Sequence, residues 1–141
     1  MPEDKKFLLE VVTPQKVVYN ERIESVILPA WSGYLGVKVN HTPFITGVQT
    51  GTVKVKKDGE EERIAVTKGF VLVQPNRTVL LVDTAERARD IDIQRAKEAY
   101  LRARRRLKSR SSAVNLTRAQ VALDRAVNRL KTLGVAPEEV K

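Results

Sequence analysis

Residues 78–107, TVLLVDTAERARDIDIQRAKEAYLRARRRL, contain the point at which the hydrophobic period of the chain changes. Up to Asp83 the apolar residues come in short runs rich in Val, Ile and Leu, a pattern typical of β-strands. Beyond Asp83 they recur every three or four residues, which is the period of a helix that packs on one side. The chain therefore joins a strand-rich region to a helical region near residue 85.

Composition narrows the classes of protein to consider. The chain has 141 residues, of which 42% are hydrophobic and 30% charged, and this suits one packed domain with an appendage. It has no cysteine and one histidine, which excludes disulfides, thiolate metal sites and a cysteine nucleophile. The N-terminal residues are charged and no long apolar run follows, so we expect no direct membrane insertion.

In the strand-rich region, apolar runs such as FLLEVV and FVLVQ alternate with turn sequences. Asp58-Gly59 has the composition of a tight hairpin turn, and Pro75-Asn76 marks another turn. The regular spacing predicts an antiparallel β-sandwich or barrel, and the chain as a whole is of the α+β class.

The strand-rich region shows no catalytic constellation. His41 lies among turn-forming residues and is interpreted as a structural hydrogen-bonding group. Gly33 and Gly36 do not form a phosphate loop, because no Lys-Ser/Thr pair follows them. We interpret them as glycines that permit a bend in a strand. Trp31 is a candidate for a protein contact. An enzyme is therefore the least favoured class.

The helical region predicts two antiparallel helices with a thin seam. Asp92 and Asn115 are the predicted N-caps, Gly134 ends the second helix, and residues 110–113 form the polar link. The predicted seam is mostly alanine and leucine, so its closure is marginal. The seam residues are Ile93, Ala96, Tyr100, Ala103 and Leu107 in the first helix and Leu116, Ala119, Leu123, Ala126, Leu130 and Leu133 in the second.

Positive charge is concentrated in the hairpin. Residues 1–84 hold 11 basic and 10 acidic side chains, whereas residues 85–141 hold 15 basic and 7 acidic ones. Heptad positions predict that six arginines share one edge of the hairpin: Arg95, Arg102, Arg106, Arg118, Arg125 and Arg129. Such an edge suits a polyphosphate ligand, but a solvated basic face explains it equally well. An acidic protein surface and a nucleic acid are the other possible partners.

Two segments of the chain carry a resemblance to a known family. GYLGVKVNHTPFITGVQTGTVKV, followed by KGFVLVQPNRTVLLVDTAERARDIDIQRA, resembles the ε subunit of bacterial F-type ATP synthase. The resemblance implies a non-catalytic subunit at the cytoplasmic face of the cell membrane, with residues 1–85 binding the γ subunit and the c-ring. Residues 86–141 would form a regulatory hairpin. A basic nucleic-acid-binding protein remains the alternative.

The resemblance also implies how the hairpin regulates the enzyme. When extended, it would enter the catalytic head of α and β subunits and block ATP hydrolysis. Its basic inhibitory face would lie opposite an acidic segment of the β subunit; that face comprises Arg102, Arg104, Arg105, Arg106, Lys108 and Arg118. Tyr34 and His41 are the candidate residues for the rotor interface. The segment around them departs from the common family sequence at Tyr34 and at Lys38-Val39.

In some members of the family, chiefly from thermophilic bacilli, the folded hairpin binds ATP through Ile/Leu-Asp-x-x-Arg-Ala. This chain matches the motif from Ile91 to Ala96. The resemblance therefore implies a regulatory ATP site made of Glu86, Ile91, Asp92, Arg95, Ala96, Arg102, Arg125 and Arg129. No cofactor is required, and whether Mg²⁺ accompanies the nucleotide stays open.

Overall fold

The computed structural model describes residues 5–109 and 113–140, with Ala113 and Val114 described by their backbone alone. The chain divides into two compact units, Met1–Arg87 and Ala88–Lys141. Strands make up the first unit and helices the second, which confirms the predicted α+β class.

Ten strands form one continuous hydrogen-bonded sheet that folds back on itself in the first unit. They are β1 (Phe7–Val12), β2 (Val17–Ile23), β3 (Ser25–Ala30), β4 (Gly33–Lys38), β5 (Phe44–Val48), β6 (Gly51–Lys57), β7 (Glu60–Val66), β8 (Gly69–Gln74), β9 (Arg77–Val82) and β10 (Ala85–Arg87). The strand order is β10-β7-β6-β3-β5-β8-β9-β1-β2, and β4 pairs with β3. The pairings are antiparallel, as predicted, except that β1 runs parallel to β9.

The sandwich core is filled by the side chains on the inner face of the sheet. Leu9, Ile64 and Leu80 are completely buried, as expected when side chains alternate between the two faces of a strand. At the β6–β7 turn, Asp58 and Gly59 have φ values of 52° and 81°, which confirms the predicted two-residue hairpin turn.

Arg87 fixes the last strand of the sandwich. β10 pairs with β7, and Arg87 lies opposite Ile64 in that ladder. The Arg87 side chain is only 13% exposed, and its guanidinium donates two hydrogen bonds to Glu62 and lies 3.7 Å from Glu21. It also lies 5.0 Å from the ring centroid of Tyr19. The hydrogen bond to Glu62 is the main cause of the raised pKa of Arg87. This ion pair, here called the clamp, therefore stays charged.

The second unit contains helices α1 (Ile93–Ser109) and α2 (Ala113–Thr132). Residues 110–112 of the predicted link lie outside the described residues. The prediction that Asn115 caps α2 is wrong, because the helix already begins at Ala113. The hydrophobic repeat from Leu116 identifies the seam, but it does not reveal the helical residues that precede it.

The start of α1 is built by local contacts. The Asp92 carboxylate accepts a hydrogen bond from the Arg95 amide at 3.1 Å, which confirms Asp92 as the N-cap. Ile91 and Ala96 pack in the same apolar cluster, as the residues of a hydrophobic staple do. The prediction that Ile93 lies in the seam is wrong: Ile93 is 39% exposed, because the staple brings Ile91 over the seam in its place.

The seam of the hairpin consists largely of alanine. Its buried residues in α1 are Ala96, Tyr100 and Ala103, and in α2 they include Ala119, Ala126 and Leu130. Gly134 ends α2 with a φ of 78°, as predicted. The amides of Gly134 and Val135 donate to the carbonyls of Lys131 and Leu130, which is the Schellman pattern.

Candidate functional site

An exposed apolar face crosses strands β5, β8, β9, β1 and β2. Strands β8 and β9 carry apolar side chains on both faces. Val71 and Leu80 on the inner face are buried, whereas Phe70 and Leu81 on the outer face are 55% and 53% exposed. Phe70 lies opposite Leu81 in the ladder, and Leu81 lies opposite Val12. The apolar face is defined here as Val12, Val17, Trp31, Ile45, Phe70, Leu72 and Leu81.

Trp31 is held in place on the apolar face although it is 65% exposed. Its indole lies against Gly47, where an added Cβ would fall 1.9 Å from the indole Cε2. The ring of Phe70 lies 5.9 Å away between centroids, at an interplanar angle of 57°. An aromatic side chain positioned in this way loses little conformational entropy on binding, so it suits a protein interface.

A groove of about 580 Å³ opens on the apolar face. Trp31, Phe70 and Leu81 form part of its wall, and Lys68 and Asp83 are the charged residues of its lining. Large contiguous apolar surfaces are uncommon on isolated proteins and mark interaction sites. Sequence reasoning missed this face apart from Trp31. The sequence signal that could have revealed it is that FVLVQ and TVLLV are apolar at successive positions. Both faces of these strands are therefore apolar, which indicates that another surface covers the outer face.

The helix-start segment Ile91–Ala96 has a structural role of its own. Ile91 and Ala96 form the staple, and Asp92 caps the helix. Ala96 is 2% exposed, so its side chain serves the seam. Arg95 is exposed and belongs to neither local contact through its side chain. Within this segment, Arg95 is therefore the one charged side chain that neither the cap nor the staple uses.

Four of the predicted arginines flank residues of the apolar cluster of the hairpin. Arg95 and Arg129 are next in sequence to Ala96 and Leu130, which both belong to this cluster. Arg102 follows Tyr100 by two residues and Arg125 precedes Ala126, and Tyr100 and Ala126 also belong to the cluster. The shared arginine edge stays a prediction. Of these four arginines, only Arg129 is half-buried and the others are exposed.

The predicted inhibitory face is largely solvent-exposed. Its exposed members are Arg102, Arg105, Arg106, Lys108 and Arg118. Arg104 is half-buried, because its guanidinium lies 5.6 Å from the centroid of the Tyr100 ring. Arg104 therefore covers part of the Tyr100 ring at the edge of the seam.

The remaining predicted site residues lie in the first unit. Tyr34 is 62% exposed on β4. His41 donates from Nδ1 to the Thr42 carbonyl at 2.7 Å, in agreement with its interpretation as a structural group. Glu86 is half-buried on β10, opposite Ala65 of β7.

Within residues 5–109 and 113–140, no cluster of three or more His, Cys, Asp or Glu side chains is arranged to hold a metal ion. Neither of the two described helices is long and apolar enough to cross a bilayer.

Comparisons with known proteins agree along nearly the whole chain. Residues 6–88 match the family model of the ATP synthase Delta/Epsilon chain beta-sandwich domain, and residues 89–134 match that of its long alpha-helix domain. The ATP synthase epsilon chain of Desulforamulus reducens is 45% identical over 123 residues, which cover 87% of this chain and 93% of the relative. The epsilon chain of Moorella thermoacetica is 45% identical over 127 residues, with 89% and 95% covered.

Solved structures show the same fold at low sequence identity. A chain of the Euglena gracilis mitochondrial ATP synthase is similar with a TM-score of 0.72 and 19% identity, covering 84% of this chain and 76% of that one. A chain of the Tetrahymena thermophila mitochondrial ATP synthase has a TM-score of 0.57 and 14% identity, with 93% and 98% covered. The relatives leave the nucleic-acid alternative without support, and they make this chain a non-catalytic subunit. The chain belongs to the ATP synthase delta/epsilon family, as a bacterial F-type ε subunit.

Proposed function

We propose that this subunit couples the rotor of a proton-translocating ATP synthase to its catalytic head and inhibits ATP hydrolysis through its two helices. The sandwich binds the γ subunit and rests on the c-ring. The extended hairpin enters the head of α and β subunits, with its basic face opposite an acidic segment of β. ATP binds the folded hairpin and favours the non-inhibitory form. The subunit is peripheral, at the cytoplasmic face of the cell membrane.

The apolar face is the observation that carries the coupling function. A torque-bearing subunit needs an interface that stays bound while the rotor turns, and buried apolar area provides most of that stability. Trp31 and Phe70 form an aromatic pair beside the groove, with the composition of an interface hot spot. We therefore assign the apolar face to the γ subunit. Tyr34 and His41 remain the candidate c-ring contacts.

The alanine seam supports the inhibitory switch. A bistable element requires two states that differ by roughly a few kcal/mol. Ala96, Ala103 and Ala126 bury little apolar area, so the closed hairpin gains little over an extended one that binds another surface. The exposed basic residues supply the charge that attracts an acidic partner.

ATP would act on this balance by binding only the folded form. Its phosphates would meet Arg102, Arg125 and Arg129, while Glu86, Asp92 and Arg95 position the base and ribose or hold the geometry of the site. Ile91 and Ala96 contribute through the staple that starts α1. A ligand that binds one of two states shifts the population toward that state.

The test is a calorimetric titration of ATP, with and without Mg²⁺, into the full chain at physiological salt. We expect one-to-one binding that Arg95→Ala weakens about tenfold or more, since it removes charge-assisted hydrogen bonds. Lys97→Ala removes a positive charge from the same helix two residues away and should leave the affinity unchanged.

Asp92 needs a variant that separates helix capping from ligand binding. Asn is as good an N-cap as Asp, so Asp92→Asn retains the cap, whereas Asp92→Ala removes it. If Asp92 contacts the nucleotide, both variants weaken binding. If it only starts α1, Asp92→Asn binds like the unmodified chain. Absence of binding by the unmodified chain would refute the nucleotide part of the proposal.

A further inference from the structure

The segment after α2 turns back onto the hairpin. Val140 is only 5% exposed and belongs to the apolar cluster that contains Ala96, Tyr100 and Leu130. Val135 packs against the same cluster. Residues 135–140, here named the return segment, therefore contribute a third element to the seam at the end of the hairpin where α1 begins and α2 ends.

The conformation of the return segment is determined by local hydrogen bonds. The Schellman pattern at Gly134 reverses the chain direction and places Val135 against Leu130. A 3₁₀ turn, Pro137–Glu139, follows, and the Val140 amide donates to the Pro137 carbonyl at 3.1 Å. The two acidic residues of this turn are exposed, so Val140 is the side chain that the turn directs into the cluster.

We propose that the return segment is a clasp that holds the open end of the hairpin closed. The extended form of α1 and α2 cannot keep Val140 in a cluster that both helices build, so opening the hairpin must release it. The consequence for inhibition rests on the proposed switch, whereas the clasp itself is a property of the folded hairpin.

The clasp and the helix-start segment that the proposed nucleotide site uses pack against one apolar cluster. Ile91 packs against the same cluster as Val140, and Ile91 is the first residue of that segment. Because the clasp exists only in the closed form, and the proposed nucleotide binding favours that form, nucleotide binding and clasp closure stabilise one state and reinforce each other. Loss of the clasp should therefore weaken ATP binding without removing any group that contacts ATP.

The absence of native cysteine allows a direct test by thiol protection. Ala126 is completely buried in the seam, so in an Ala126→Cys background a thiol reagent reacts only when the hairpin opens. Val140→Asp should accelerate labelling about tenfold or more, with Val140→Ala intermediate. The matched control is Val121→Asp, at a residue of α2 that is 46% exposed.

A second background reports on the sandwich. Val71 is completely buried there, and labelling of Val71→Cys should not respond to Val140→Asp. Equal labelling of Ala126→Cys with and without Val140→Asp would overturn the clasp, as would equal acceleration by Val121→Asp. Added ATP should slow labelling of Ala126→Cys. If it does not, while Val140→Asp still accelerates labelling, the nucleotide site fails and the clasp stands.

Discussion

The two units of this chain bury different kinds of side chain. The sandwich core contains completely buried long aliphatic residues such as Leu9, Ile64 and Leu80, contributed by strands far apart in sequence. The hairpin seam consists largely of alanine, and Leu130 is its completely buried long aliphatic residue among those described. Buried apolar area sets most of the stability of a domain. Burial therefore stabilises the sandwich more than the hairpin, and this difference supports the proposal that the hairpin opens while the sandwich stays folded.

The most disruptive test truncates one buried leucine in each unit. Leu80→Ala should lower the unfolding free energy of the sandwich by about 2–5 kcal/mol, because it leaves a cavity. Leu130→Ala should open the hairpin and leave the sandwich transition unchanged. Denaturation followed by far-UV circular dichroism reports the helices, and fluorescence of Trp31, the single tryptophan, reports the sandwich. Coincident shifts of both signals in both variants would show that the units unfold as one.

The next test measures how much the ion pair of Arg87 stabilises the sandwich. Arg87→Met should cost the sandwich about 2 kcal/mol, because it leaves the Glu62 carboxylate without its charged partner. The control is Arg63→Met, since the 3.4 Å contact of Arg63 with Glu61 is more exposed and worth about 0–1 kcal/mol. The stability difference between the two variants is the readout. Equal losses would mean that the clamp is no stronger than an ordinary surface pair.

The apolar face is tested by a small substitution beneath the indole. A methyl group at Gly47 would overlap the Trp31 ring, so Gly47→Ala should displace the indole and shift its fluorescence. Affinity for the γ subunit should fall about tenfold, as expected for displacement of a hot-spot aromatic. Gly36→Ala is the control, because a Cβ at Gly36 meets no atom within 4 Å. Unchanged γ affinity in Gly47→Ala would remove Trp31 from the interface.

The smallest expected effect is a pH dependence at the β6–β7 turn. The Lys6 ammonium donates to Asp58 at 2.8 Å, and this hydrogen bond lowers the pKa of Asp58. A lowered folded pKa means that this stabilisation is present above the ordinary Asp pKa and is lost as pH falls through the folded value. Asp58→Asn keeps a residue that tolerates the positive φ but removes the carboxylate that titrates. It should therefore slightly reduce the sensitivity of sandwich stability to acid. An unchanged midpoint of acid unfolding would contradict this.

The sequence predicted both units and several turns because those features depend on local chemistry. The Asp58-Gly59 turn, the Asp92 cap and the Gly134 helix end each follow from residue types at fixed spacing. The parallel pairing of β1 with β9 joins segments far apart in the chain, and no local pattern encodes it. The exposure of Ile93 and the burial of Val140 depend on how the residues that flank the two helices fold over the seam. The hydrophobic period of the helices does not reveal this.

The most direct test of the contrast between the units is amide hydrogen exchange on the full chain, with and without ATP. We expect amides of α1 and α2 to exchange together and far faster than those of the inner strands β3, β6 and β8, and ATP to slow only the helical amides. Helical amides protected as strongly as the inner strands would contradict the account, because the hairpin would then open only when the sandwich unfolds.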